Sequence, residues 1–189
     1  MFSQYRHKVS VAKVVSLLVA SSLLVATGAQ AAETAHTPLV LTAYSNGVGG
    51  PDLVQGKYDV ALAQIQRFKP QLMMASSAKD TNLCVAYAAT KQLAEAKTAC
   101  NAALKSAKYD KLSSSRFSSG GSRENAYIAI AYTNRAVVHM LSRDQASATA
   151  DLDHAKALAP DADFVARNLA AVSGARNSTI AQLEVAPSR

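Results

Sequence analysis

The sequence has no tryptophan, and aromatic residues make up only 6% of its 189 positions. A core of large interlocking rings is therefore excluded, and the interior must come from close contacts between small and aliphatic side chains. Hydrophobic residues still reach 49%, enough for one domain with a real core at this length. Alanine is abundant among them, and it is the least costly residue in a helix. Long runs of one charge are missing too. The formal net charge of +7 owes three of its cations, Arg6, Lys8 and Lys13, to an N-terminal stretch without a single acid. The remainder holds 17 basic and 13 acidic side chains, scattered along the chain. Nucleic-acid binding calls for a basic stripe with interleaved aromatics. None is present, so no nucleic-acid partner is expected.

Catalytic and metal-binding patterns are equally scarce. The histidines are His7, His36, His139 and His154, and no two of them share a His-x-x-x-His or Glu-flanked spacing, so neither a metal nor a cofactor is expected. His139 falls on the core face of its helix and reads as structural. Ser76-Ser77-Ala78-Lys79 contains Ser-x-x-Lys, but its Ser-Asp-Asn and Lys-Thr-Gly companions are missing. There is no Gly-x-Ser-x-Gly, phosphate loop or paired-acid constellation. The chain reads as a protein without catalytic residues, not as an enzyme.

What is present begins with an export signal. Arg6, His7, Lys8 and Lys13 form a positive region, Val14 to Ala26 an apolar core of 13 residues, and Ala29-Gln30-Ala31 a small-residue cleavage site. This three-part pattern predicts a signal peptide over residues 1–31, cleaved after Ala31. The apolar core falls short of the ~20 residues that span a bilayer, so no stable membrane insertion is expected after cleavage. The short positive region and the Ala-x-Ala site point to the bacterial periplasm.

Residues 32–51 lack a helical period and read as an extended or flexible leader. Within them Pro38 to Tyr44 is a candidate extended segment, and Asn46-Gly47-Val48-Gly49-Gly50-Pro51 is a turn cluster. From Asp52, Leu53, Gly56, Val60, Ala61, Gln64, Ile65 and Phe68 fit one helix that stops at Pro70. Asn82 to Leu104 carries a second helical stretch. Ser113 to Ser122 has the composition of a flexible loop. A helix follows from about Ser122 to Ser142, then another with Asp144 as its N-cap, and a last one from Ala162 to Ser173 with Gly174 as C-cap. The tail, 175–189, shows no period and is expected to be mobile.

One spacing organises these helices. Tyr132-Thr133-Asn134-Arg135-Ala136, Asp151-Leu152-Asp153-His154-Ala155 and Ala159-Pro160-Asp161 are followed by Ala166-Arg167-Asn168-Leu169, which places Asn168 34 residues after Asn134. Cys84, Ala96, Cys100 and Ala103 precede Ala136, Ala148, Leu152 and Ala155 by a constant 52 residues. A period near 34 with small residues at those places resembles the tetratricopeptide (TPR) repeat. The resemblance covers about 120 residues, from Asp52 to Ser173. It implies an all-α, helical-hairpin solenoid of about 5–6 helices. The parts are a half-repeat at 52–69, a repeat at 77–110, a Ser/Gly-rich insertion at 111–122, a repeat at 129–162 and a capping helix at 162–174.

The resemblance places Cys84 and Cys100 on facing helices of one hairpin. In an oxidising compartment that suggests a disulfide, with two packed thiols as the alternative. A redox-active pair is disfavoured because there is no Cys-x-x-Cys. The first helix of each unit would line a concave groove, and the residues expected to touch a partner there are Thr81, Val85, Ile130, Thr133, Asn134, Val137, Met140 and Leu141. Asn134 is similar to the asparagine with which some TPR domains hold a peptide carboxylate, and a structural hydrogen-bonding role is the other reading of it. The Lys and Arg of that clamp are replaced by Phe164 and Asn168, so the clamp is not carried over. The function implied is protein or peptide binding in the groove. A small hydrolase or accessory role near the Ser-rich loop, and a structural subunit of an envelope complex, are the alternatives.

Overall fold

Apolar residues at helical spacing dominate the chain, and the computed structural model, which describes residues 37–68, 76–114, 122–174 and 183–188, is mostly helical. A strand β1 (Leu39–Ala43) is followed by helices α1 (Gly50–Val54), α2 (Tyr58–Arg67), α3 (Ser76–Ala89), α4 (Leu93–Ser114), α5 (Ser122–Leu141), α6 (Gln145–Leu158) and α7 (Asp163–Gly174), then a strand β2 (Leu183–Pro187). Consecutive helices from α1 to α7 pack against one another, and α1·α3, α3·α5 and α5·α7 also touch. The odd-numbered helices therefore share one face.

Every small position singled out by the 52-residue offset is buried. Cys84, Ala96, Cys100 and Ala103 are at most 1% exposed, and so are Ala136, Ala148, Leu152 and Ala155. Small side chains let the backbones of α3 and α4, and of α5 and α6, approach closely. The same offset governs the turns. Lys91 and Arg143 both adopt left-handed backbone, with φ of 61° and 62°. In one turn Lys91 N–H donates to Ala88 C=O and Gln92 N–H to Tyr87 C=O; in the other Arg143 N–H donates to Met140 C=O and Asp144 N–H to His139 C=O. This pattern satisfies the carbonyls a helix end leaves open. The expected N-cap is in place, with the Asp144 side chain accepting from Ser147 N–H.

Polar groups tie the hairpins together. Arg135 donates twice to the Asp151 carboxylate, at 2.7 Å each, and once to Asn101 at 2.9 Å. One guanidinium fork thus joins α4, α5 and α6. His139 lies beside Asp144 and Asp151, with nitrogen–oxygen distances of 3.3 and 3.7 Å.

The leader is extended where it is described: β1 falls within Pro38 to Tyr44 and is fully buried. Four expectations are corrected. The half-repeat at 52–69 is two helices, broken where Gly56 takes a φ of 75°. Part of the tail is ordered: β2 pairs in parallel with β1, Leu39 opposite Leu183 and Ala43 opposite Pro187. The seven described helices exceed the expected five or six, and with so little sheet the chain is mostly helical, consistent with the all-α expectation. The insertion starts later than 111, since α4 continues to Ser114. Residues 1–31 and 115–121, which carry the signal and most of the Ser-rich loop, lie outside the described residues.

Cys84 on α3 and Cys100 on α4 form a disulfide, with Cα atoms 4.7 Å apart. Closing a loop of this length restricts the unfolded chain, and the Cys84→Ala/Cys100→Ala variant should lose about 3 kcal/mol of stability. Urea unfolding against the native chain measures this.

Candidate functional site

The site begins with three asparagines on odd-numbered helices: Asn82 on α3, Asn134 on α5 and Asn168 on α7, all fully buried. Each holds one residue of the N-terminal segment by both of its backbone groups. Asn168 Oδ1 accepts from Val40 N–H and its Nδ2 donates to Val40 C=O, both at 2.8 Å. Asn134 does the same for Thr42, at 2.8 Å each. Asn82 does it for Tyr44, at 2.8 and 3.0 Å, and its Nδ2 also donates to Val48 C=O at 3.1 Å.

A carboxamide suits this task because it offers one acceptor and one donor side by side, matching the N–H and C=O of a single extended residue. Alternate residues of a strand turn these groups to the same edge, so the clamp takes residues 40, 42 and 44. Its order is reversed along the stack, with the last helix holding the first residue. The other edge of β1 faces β2, and Ser188 N–H donates to Ala43 C=O there at 2.7 Å. Leu39, Leu41 and Ala43 enter the main hydrophobic core beside Val85, Val137 and Leu152.

These interactions decide whether β1 is exchangeable. Leu39, Val40 and Leu41 are at most 2% exposed, and burying each contributes about 1.5–3 kcal/mol. Six clamp bonds at roughly 0.5–1.5 kcal/mol each come on top. Extraction of β1 would cost on the order of 10 kcal/mol, comparable to the whole stability of a domain. The strand is a resident part of the fold.

This changes the place of the residues expected to meet a partner. Thr81, Val85, Thr133 and Val137 are buried, and the Thr133 hydroxyl donates to Ala129 C=O in its own helix. Met140 and Leu141 pack against the main core. Asn134 is spent on Thr42. Ile130, itself 4% exposed, lines open space. That space is a cleft of about 980 Å³ between the sheet and the first turns of α5 and α7. Val40, Thr42, Glu184 and Ala186 form one wall, and Tyr127, Ile130 and Phe164 stand opposite. At its rim Arg167 makes a two-pronged ion pair with Glu184 of β2. The guanidinium holds the Glu184 carboxyl below its ordinary value. Tyr44 lies edge-on to Tyr127, with ring centroids 5.4 Å apart, and burial pushes its hydroxyl well above the usual phenol range.

Among the described residues, no cluster of three His, Cys, Asp or Glu side chains could hold a metal ion. No described helix is long and apolar enough to cross a membrane. The chain matches no known family model, curated protein or solved structure.

Asn82 and Asn168 are the clamp residues that the sequence expectations did not assign to the site. The signal was available: Asn82 stands 52 residues before Asn134, and Asn168 stands 34 after it, the same offsets that align the small residues. Removing the central amide tests the clamp. Asn134→Leu leaves a buried N–H and C=O of Thr42 unpaired, each costing about 1–3 kcal/mol. Chemical denaturation should show a loss of roughly 2–5 kcal/mol, with Asn134→Asp also destabilised because a carboxylate cannot donate to Thr42 C=O.

Proposed function

We propose that this chain is an exported, periplasmic, tetratricopeptide-like interaction module that binds an extended segment of a protein or peptide partner on the face shared by its odd-numbered helices. The observation that carries this reading is the cleft left open beside the clamped strand. Helical pairs with equivalent turns 52 residues apart support the repeat, since each pair needs a neighbour to bury its second face. The asparagine clamp supports recognition of extended chain, because it already grips three alternate residues by backbone alone.

The cleft has the volume typical of ligand sites and a mixed lining that suits a polypeptide. Tyr127 and Phe164 supply broad apolar surface, and Ile130 its base. Arg167 and Glu184 supply charge at the rim. No catalytic role is proposed, and no metal or cofactor enters the reading.

A photoreactive phenylalanine analogue in place of Tyr127, in the full-length chain expressed in its own cells, tests this directly. The expected result is a cross-link to a second polypeptide, reduced at least about tenfold when Ala126→Trp fills the cleft. Cross-linking unaffected by Ala126→Trp, or confined to the chain itself, would overturn the location. Val137 is unsuitable for such a test, because at 1% exposure a charge there would probe folding.

A further inference from the structure

β1 and β2 are partners in one sheet, yet they are held very differently. All five residues of β1 are buried, whereas four residues of β2 are only half-buried and Pro187 is exposed. β1 is gripped along one edge by three buried amides. Among the described residues β2 has no such grip: it rests on its pairing to β1, on contacts with α1 and α3, on the packing of Leu183 and Val185 against the core, and on the Arg167–Glu184 pair at the surface. That pair is solvent-screened, with side-chain exposures of 31% and 44%, and exposed pairs contribute little. The edge of β1 beneath β2 is by contrast a fixed template, its N–H and C=O groups set in place by the clamp on the far side.

We propose that β2 is a resident stand-in for a partner strand, and that an extended segment of similar chemistry adds to β1 in its place. The segment is defined by what β2 satisfies. It runs parallel to β1, with large aliphatic residues where Leu183 and Val185 meet the core, an acidic residue between them facing Arg167, and a small residue where Ala186 borders the cleft. Main-chain pairing would supply affinity and the alternate side chains specificity, as in strand addition to a sheet edge. β2 would then set a threshold, because an intramolecular strand competes at high effective concentration. This rests on the inner-face reading above and adds the position, the chemistry and the competitor.

The test is binding of a labelled peptide, Gln-Leu-Glu-Val-Ala-Pro-Ser, the sequence of residues 182–188, to the full chain by fluorescence anisotropy. Ser188 N–H faces β1, and by the two-residue period so does that of Ala186; Ala186→Pro therefore loosens β2 without touching a helix. The peptide should bind Ala186→Pro at least about tenfold more tightly than the native chain, and the same peptide carrying Arg at its Glu position should lose that gain. Glu184→Arg, a surface change outside the core, should raise peptide binding in the same direction and keeps the test sound if the proline variant folds poorly. Equal binding to native and loosened chains, or none to either variant with helical content intact, would overturn the proposal. If the cross-link at position 127 persists in that case, the inner-face reading stands and only the strand exchange fails.

Discussion

A primary amide that donates and accepts at once is the interaction on which this structure depends. Three of them, on α3, α5 and α7, read the backbone of one extended segment. Such a match has no tolerance for a missing neighbour. Each buried asparagine would be costly alone, and each buried N–H and C=O of β1 would be too. Together they cancel, so the segment and the helices specify each other's position. The three amides must stand about two strand residues apart, roughly 6.7 Å, which ties the placement of the odd-numbered helices to the period of the strand they hold.

Burial follows from that constraint. With the amides on one edge, β1 turns Leu39, Leu41 and Ala43 into the core and leaves its second edge for β2. The two ends of the described chain are thereby stitched together over the helices. The disulfide between Cys84 and Cys100 fixes the α3–α4 pair two residues beyond Asn82, and the Arg135 fork fixes the neighbouring pair one residue beyond Asn134. Covalent and ionic ties thus sit next to the amides whose positions matter most.

The helices were legible in the sequence because small residues recur at fixed offsets, and a helix contact admits little else at those places. The N-cap at Asp144 was legible for a similarly local reason. The sheet was not. Leu39 to Ala43 is a short apolar run without alternation, and such a run does not reveal what will pair with it. β2 was harder still, since Leu183-Glu184-Val185-Ala186-Pro187 ends in a residue that strands avoid except at edges. Asn134 was open to two readings, a structural hydrogen bond and a contact for a foreign peptide, and in the fold it serves Thr42 of its own chain. Ile130 borders the open cleft, and Met140 and Leu141 stay half-buried. The cleft is the part of the shared face that the sheet leaves uncovered.

Hydrogen exchange at the amides of Val40, Thr42 and Tyr44 tests the clamp most directly. If the three asparagines hold β1 as a permanent part of the fold, these amides exchange only through global unfolding, as slowly as the most protected amides of α5. Exchange of all three by a local opening well below the global stability, with α5 still protected, would contradict it.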